Sequence, residues 1–161
     1  MKIHKKQKKR KNYKMRKLHK KYIYILCIMA NPDQEQEQDQ DDLQRTFIHT
    51  IPNKDTLLSI LKENTGILVL KFGATWCKPC KQIEEYINYK FSEVGENVLC
   101  GSIDIDKNFE VYAFLKKKKV VQSIPTIVRY DCGNITFIPD DVITGTDIAK
   151  LDMFFDDIME D

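Results

Sequence analysis

The feature that most constrains the fold is a pair of cysteines, Cys77 and Cys80, separated by two residues. The apolar run before them, residues 67–70, has the length and composition of a buried strand. The segment after them, from Gln82 to about Phe91, has the pattern of a helix. The pair is therefore predicted to lie where a strand passes into a helix. Residues three apart on a helix share one face, so the two sulfurs can reach disulfide distance.

The start of a helix also favours a reactive thiol. Unpaired N–H groups and the helix dipole stabilise an anion there, so more of the sulfur is nucleophilic thiolate at neutral pH. Pro79 suits the first turn, where a missing N–H costs nothing and the fixed φ is already helical. Trp76 offers an apolar platform beside the thiol, on which a substrate chain can lie. These residues predict a dithiol that attacks disulfides.

The run Trp-Cys-Lys-Pro-Cys-Lys at residues 76–81, placed after a strand, resembles the active-site motif of the thioredoxin family. A second match follows at residues 123–126, Ser-Ile-Pro-Thr, where that family has Ile-Pro-Thr. Gly145 falls where the family has a glycine between the last strand and the last helix. The resemblance extends over about residues 46–159. It implies the thioredoxin fold, an α/β fold with a central mixed β-sheet flanked by helices on both faces.

The resemblance implies a thiol–disulfide oxidoreductase that reduces protein disulfides. Cys77 would attack a substrate disulfide to form a mixed disulfide, which Cys80 would resolve. Ile124 and Pro125 would lie opposite Cys77, with the peptide bond before the proline in cis and the adjacent backbone free to bind an extended substrate. No metal or organic cofactor is implied. The expected partners are disulfide-containing proteins and an external reductase or dithiol as electron donor, and the chain is expected to be monomeric.

Four positions depart from the family pattern. Lys71 stands where thioredoxins carry a buried aspartate that helps move the proton of the second cysteine, and Ser102 stands where they have a lysine. Glu85 replaces a helix-kinking proline, which predicts a straighter helix, and Lys78 replaces a glycine and adds positive charge beside the thiols. Three interpretations of Lys71 stay open. It is a proton relay as a buried neutral amine, a buried cation that favours the thiolate, or a surface side chain that leaves no internal base.

Two other functions stay open beside the reductase. One is a thioredoxin-fold docking module with little turnover, and the other is an oxidase or isomerase in an oxidising compartment. A metal site is not expected, because Cys77 and Cys80 supply only half of a zinc site and the other cysteines and histidines are scattered. Cys100 is expected in the core, and Cys132 is expected on the surface of a hairpin turn.

Charge divides the chain into an N-terminal arm, residues 1–45, and a thioredoxin-like domain, residues 46–161. The net charge of +2 hides this division. Residues 1–21 contain twelve Lys or Arg and no acid, whereas the chain from residue 33 contains fourteen Lys or Arg and twenty-four Asp or Glu. Residues 33–42 are acidic and of low complexity, so the arm is predicted to be disordered there.

The role of the arm stays open. The apolar run at residues 22–30 reaches only about half of the roughly 20 residues that a membrane-spanning helix needs. Four interpretations remain. The arm is a signal peptide ending near Ala30, a basic segment that contacts nucleic acid or an anionic surface or acts as a nuclear signal, upstream sequence before a true start at Met29, or a disordered, solvated tail. One CxxC among five cysteines favours an intracellular redox motif and a cytoplasmic location. A signal or an anchor in residues 1–30 would instead make the protein secretory or membrane-bound.

The domain is predicted to run in the order β-α-β-α-β-α-β-β-α. Strands are expected at residues 46–51, 67–72, 98–104, 126–130 and 135–138, and helices at 53–63, 82–91, 108–118 and 147–159. Asn53 is the predicted N-cap of the first helix. The 67–72 and 98–104 strands should be parallel, because a helix connects them. The last two strands should form an antiparallel hairpin with its turn at residues 131–134.

Overall fold

The computed structural model describes residues 47–160. The N-terminal arm lies outside the described residues, together with the expectations placed on it, including the true start at Met29. Thr46 and Asp161 also lie outside them, so the domain boundary at residue 46 stays a prediction. No helix of the described residues is both long enough and apolar enough to cross a bilayer.

The described residues form one five-stranded sheet in the order β1-β3-β2-β4-β5. Its strands are β1 Phe47–Ile48, β2 Ile67–Gly73, β3 Val98–Asp104, β4 Thr126–Tyr130 and β5 Asp141–Thr144. The pairs β1–β3 and β2–β3 are parallel, and the pairs β2–β4 and β4–β5 are antiparallel. The predicted mixed sheet is therefore confirmed.

Five helices accompany the sheet in the described part of the chain. They are α1 Lys54–Glu63, α2 Lys78–Gln82, α3 Glu84–Glu93, α4 Phe109–Lys117 and α5 Ile148–Glu160. Asn53 caps α1 as predicted, because its side chain accepts a hydrogen bond from the backbone N–H of Thr56 at 2.9 Å. Gly145, with φ of +102°, makes the turn between β5 and α5 in a conformation that glycine adopts at little cost.

The central strand, β2, explains the apolar run in the sequence. All seven of its residues are buried, because the strand has a neighbour on each side and helices over both faces. Val69 belongs to a core cluster that includes Ile87 of α3 and Phe155 of α5. Alternate residues of β2, such as Leu70 and Phe72, point to the opposite face, which α1 and α4 cover. The face of Val69 is also the face of Lys71.

The predicted hairpin partner at residues 135–138 is wrong. The strand that pairs with β4 is β5, which sets Thr126 opposite Thr144, and residues 131–140 form a longer loop. The side chain of Asn134 holds this loop by donating hydrogen bonds to the carbonyl of Ile138 and to the carboxylate of Asp140. Ile138 is 62% exposed, so the apolar residues of the loop do not form the buried face of a strand.

Two predicted elements have different bounds. The first strand ends at Ile48 rather than Ile51, because the N–H of Ile51 bonds to the Asn108 side chain at 2.7 Å instead of to β3. The helix expected to run straight through residues 82–91 is broken at Ile83, where φ is −106° and ψ is 4°. The break needs no proline, since the buried side chain of Ile83 fixes this turn against the core.

Candidate active site

Cys77 and Cys80 lie where β2 passes into α2, and they are joined by a disulfide. Cys77 is the N-cap of α2, and its sulfur accepts a hydrogen bond from the backbone N–H of Cys80 at 3.2 Å. Pro79 occupies the first turn, as predicted. Both cysteines are only 4% exposed. The predicted strand-to-helix position of the pair is therefore confirmed, and the helix start directs an N–H group at the first sulfur.

The loop before β4 faces Cys77 from the other side. The carbonyl oxygen of Ile124 lies 4.0 Å from Cys77 Sγ, and the predicted cis peptide bond between Ile124 and Pro125 is present. The hydroxyl of Thr126 donates to the carbonyl of Ser123 at 2.7 Å, which fixes the shape of this loop. The structure thus brings Cys77 and Ile124 of the two matched motifs, 47 residues apart in sequence, to the same point.

Trp76 is the exposed side chain beside the dithiol. Its ring is 64% exposed, and its indole N–H donates to the carboxylate of Asp106 at 2.7 Å. Asp106 is itself placed by Asp104, whose carboxylate accepts the backbone N–H of Asp106 at 2.9 Å. Sequence reasoning missed this pair of acids. The signal was available, because residues directly after a parallel strand lie at the same sheet edge as those after its neighbour.

Lys71 is buried in the middle of β2, with an exposed fraction of 6%. The interpretation that this side chain extends to the surface is therefore wrong. Burial lowers the pKa of Lys71 below its ordinary value, and the carboxylate of Glu84 acts in the opposite direction. In the register of β2 and β3, Ser102 is the direct neighbour of Lys71. The side chain lines a cleft that also reaches Cys80.

The remaining candidates are dispersed. Lys78 is exposed at the start of α2 and makes no ion pair among the described residues. Cys100 is buried in the core and Cys132 is exposed in the 131–140 loop, as expected. Within residues 47–160, no three His, Cys, Asp or Glu side chains form a group that could hold a metal ion.

Comparisons with known proteins agree with this geometry. The sequence profile described as Thioredoxin matches residues 49–156. Thioredoxin of Bacillus subtilis (strain 168) is 33% identical over 70 residues, which cover 44% of this chain and 64% of that protein. Thioredoxin-2 of Saccharomyces cerevisiae is 35% identical over 75 residues, covering 47% of this chain and 67% of that protein. The matched segments thus span about two thirds of these relatives.

Solved structures show the same fold. The crystal structure of Plasmodium falciparum thioredoxin superimposes with a TM-score of 0.56 at 23% identity, covering 78% of this chain and 97% of that one. Trichomonas vaginalis thioredoxin gives a TM-score of 0.57 at 23% identity, covering 71% and 98%. The profile match over two thirds of the chain, joined to this fold, establishes the family. The chain belongs to the thioredoxin family.

Proposed function

We propose that the protein is a thiol–disulfide oxidoreductase that reduces protein disulfides through Cys77 and Cys80. The observation that carries the proposal is the environment of the Cys77 sulfur. It receives the N–H of Cys80 at the start of α2, and it faces the carbonyl of Ile124 across a gap of 4.0 Å. A helix N-terminus stabilises a thiolate, and a backbone carbonyl beside it can accept a hydrogen bond from an extended peptide.

The reaction has two exchange steps. The Cys77 thiolate attacks one sulfur of the substrate disulfide, and the other substrate sulfur leaves as a thiolate. Cys80 then attacks the Cys77 sulfur of the mixed disulfide, so the second substrate sulfur leaves and a Cys77–Cys80 bond forms. The disulfide in the structure corresponds to this oxidised end state. An external dithiol or reductase must return two electrons before the next cycle.

The residues around the dithiol receive supporting roles. Ile124 and Pro125 would border the substrate backbone. The carbonyl of Ile124 can accept a hydrogen bond from the substrate, and Pro125, which has no N–H, cannot donate to the groups that the substrate would use. The exposed ring of Trp76 would provide apolar contact for the bound segment. Lys78 would add positive charge beside the thiols, and Pro79 would keep the first turn of α2 helical.

Named relatives support the choice of partners. A relative from Mycobacterium leprae, 32% identical over 74 residues, is a bifunctional thioredoxin reductase/thioredoxin. A structure with a TM-score of 0.55 concerns the resolution of a yeast mitochondrial 1-Cys peroxiredoxin through glutathione/thioredoxin systems. A reductase as electron donor and disulfide-bearing proteins as substrates are accordingly part of the proposal.

Isomerisation is a second candidate, favoured by one observation. The chain is 27% identical over 128 residues to protein disulfide-isomerase A5 of Bos taurus, although this covers only 24% of that protein. An isomerase rearranges disulfides without net reduction. A protein with scrambled disulfides therefore separates the two functions when the chain is added with its dithiol already reduced and without further reductant. An isomerase then restores the native pairing in many substrate molecules per dithiol, whereas a reductase stops after one disulfide per dithiol.

The experiment compares the full chain with its Cys77→Ser and Cys80→Ser variants in the reduction of a protein disulfide, with dithiothreitol as electron source. Cys132→Ser, which removes an exposed cysteine, is the matched control. We expect no turnover without Cys77, strongly reduced turnover without Cys80, and unchanged turnover in the control. When the pre-reduced Cys80→Ser variant meets the substrate without dithiothreitol, a mixed disulfide through Cys77 should accumulate. A folded wild-type protein with no activity above the dithiothreitol background would contradict the proposal and favour a docking module.

A further inference from the structure

A cleft of about 580 Å³ lies between the sheet and the helices α2 and α3, on the face of β2 that carries Lys71. Phe47 and His49 line it near β1, with their ring centroids 4.8 Å apart. Its volume falls within the range of about 300–1,000 Å³ that small-molecule sites occupy. Neither Cys77 nor Ile124 lines the cleft, so it is distinct from the face that the proposed protein substrate uses.

Two polar side chains of the cleft have no partner in the described part of the chain. Lys71 and Ser102 are direct neighbours in the register of β2 and β3, so their side chains leave the sheet on the same face. Lys71 is more than nine-tenths buried. Within residues 47–160, neither side chain takes part in a hydrogen bond or an ion pair. An amine and a hydroxyl therefore offer donors to the cleft that no described residue accepts.

Gly73 leaves room beside these donors. It follows Lys71 by two residues on β2, so it lies on the same face of the strand, and it also lines the cleft. A Cβ placed on Gly73 would lie 3.5 Å from Cys80 Sγ and 3.9 Å from Lys71 Cε. A larger side chain at position 73 would therefore extend into the cleft next to the end of the lysine.

The burial of Lys71 favours an anion beside its amine. Burial lowers the pKa of Lys71, because the ammonium loses water, and the charge of Glu84 opposes this shift only in part. A bound anion would offset the cost of the buried charge by supplying an opposite charge inside the protein. A carboxylate suits these donors, since one oxygen can accept from the amine of Lys71 and the other from the hydroxyl of Ser102.

The other charged groups of the cleft limit the ligand to one negative charge. They come from the segment after β1, from α2, from α3 and from the end of β3, and they are His49, Lys81, Glu84 and Asp104. With the histidine neutral, the two lysines of the cleft balance its two acids in formal charge. A second negative charge on the ligand would therefore have no counterpart, which disfavours a dianion such as phosphate.

We propose that the cleft binds a small monocarboxylate with an apolar body, of the class of the aromatic acids. Its carboxylate accepts hydrogen bonds from Lys71 and Ser102. Its body lies against Phe47, which pairs with Cys100 two residues before Ser102 and so presents its ring on the same face of the sheet. This binding involves no thiol exchange, so it is tested without turnover and independently of the proposed function.

The test titrates the oxidised full chain with benzoate and follows the backbone amide resonances by nuclear magnetic resonance. Benzamide, which has nearly the same shape but no charge, and inorganic phosphate are the comparison ligands. Lys71→Met and Ser102→Ala each remove one donor, and Gly73→Val occupies the space beside the lysine. Lys62→Met, which removes an exposed lysine of α1 outside the cleft, is the matched control. Circular dichroism verifies that each variant is folded.

We expect benzoate to shift the resonances of Lys71, Gly73 and Ser102 to saturation. Lys71→Met should weaken the binding by about tenfold or more, because the carboxylate loses its buried counter-charge. Ser102→Ala should weaken it severalfold, through the loss of one hydrogen bond to a charged group. Gly73→Val should abolish it by filling the space, whereas Lys62→Met should change it by less than about twofold.

Benzamide and phosphate should bind at least about tenfold more weakly than benzoate, because one lacks the charge and the other carries a charge too many. Four results would each overturn the assignment. They are a wild-type chain that benzoate does not saturate, benzamide or phosphate binding as tightly as benzoate, unchanged benzoate binding in Lys71→Met, and an equal loss in Lys62→Met.

Discussion

The side chain of Asn108 accepts a hydrogen bond from the backbone N–H of Ile51 at 2.7 Å, across 57 residues of sequence. Its amide group also donates to the carbonyl of Asp104 at 2.9 Å. Asn108 is 1% exposed, so water cannot replace either bond. One side chain thus joins the segment after β1 to the start of α4.

Asn108→Ala should lower the free energy of unfolding by about 1–3 kcal/mol, because the buried N–H of Ile51 loses its partner. Urea unfolding measures the change. Asn88→Ala, a substitution at an exposed position of α3, is the control and should change the free energy by less than about 0.5 kcal/mol. Equal changes in the free energy of unfolding for the two substitutions would mean that the buried hydrogen bonds of Asn108 do not stabilise the fold.

Gly101 lies where β3 passes between β1 and β2. A Cβ at this position would meet the carbonyl oxygen of Ile48 at 2.7 Å and a methyl group of Leu70 at 2.9 Å. Gly101→Ala should therefore destabilise the fold by about 1–3 kcal/mol through overpacking. Gly73→Ala is the matched control, since its Cβ meets its neighbours at 3.5 Å or more. Thermal unfolding of both variants should show a clearly lower midpoint for Gly101→Ala alone.

The burial of Lys71 predicts a pH dependence of stability in the oxidised protein. Its pKa is lower in the folded chain than in the unfolded chain, so the unfolded chain binds more protons between these two pKa values. Stability from this residue is therefore gained as the pH rises through that interval, by at most about 1.4 kcal/mol per pH unit.

Lys71→Met should remove this gain and should be more stable than the wild type at neutral pH, because a buried apolar side chain carries no desolvation cost. Urea unfolding of variant and wild type, followed as the pH rises from neutral towards the ordinary lysine pKa of 10.5, measures both effects. Lys81→Met, at an exposed position, should keep the slope of the wild type. A wild-type slope in Lys71→Met would contradict the prediction.

Asp152 of α5 binds two residues of α3. Its carboxylate accepts hydrogen bonds from Lys90 at 2.7 Å and from the hydroxyl of Tyr86 at 2.5 Å. The hydrogen bond from Lys90 is the largest cause of the lowered pKa of Asp152, and the hydrogen bond from Tyr86 is the next largest. Burial and the bond to Asp152 raise the pKa of Tyr86 to about 12.

Asp152→Asn should lower the midpoint of thermal unfolding at neutral pH, because the charge that binds Lys90 is lost. A carboxylate with a lowered pKa stabilises the fold above the pKa of the unfolded chain, and this contribution is lost as the pH falls through the folded value. The difference between variant and wild type should therefore disappear in acid. A difference that persists at about pH 2 would show that the charge is not responsible.

Asp106 fixes the exposed ring of Trp76 through the indole N–H. In Asp106→Ala the ring loses this anchor, so KM for a protein substrate should rise severalfold while kcat changes little. The free energy of unfolding should stay within about 0.5 kcal/mol of the wild type, because both residues of the pair lie on the surface. Glu110→Ala, an exposed acid of α4, is the kinetic control. An unchanged KM in Asp106→Ala would mean that substrate does not use the fixed ring.

The sequence predicts most of the sheet and the position of the dithiol because these features depend on local pattern. The run from Ile67 is apolar on both faces, which is typical of a central parallel strand. The short spacing of Cys77 and Cys80 at a helix start needs no distant residue to be interpreted. Tertiary contacts decide the remainder. The strand around Lys71 predicts a buried position, but it does not show whether a lysine there stays inside or extends to the surface, because that depends on neighbours in β3 and α3.

The wrong strand prediction in the 131–140 loop also arises from contacts that the sequence pattern does not show. The apolar residues 135–138 suggested a strand, but Asn134 satisfies the backbone of the loop with its own side chain, so pairing passes to β5. Phe137 finds an apolar contact with Phe114 of α4, with ring centroids 5.2 Å apart, rather than with the sheet. A pattern of hydrophobicity cannot distinguish these two ways of covering the same residues.

The burial of Cys77 has a consequence for any molecule that reacts with it. Only 4% of this residue is accessible, so a disulfide on a rigid, flat surface cannot bring its sulfur within bonding distance. A partner must first release the segment around its own disulfide and extend it into the site. The free energy of that local unfolding adds to the barrier of the first exchange. Partners should then be ranked by how easily they open near their disulfide, rather than by how tightly they bind.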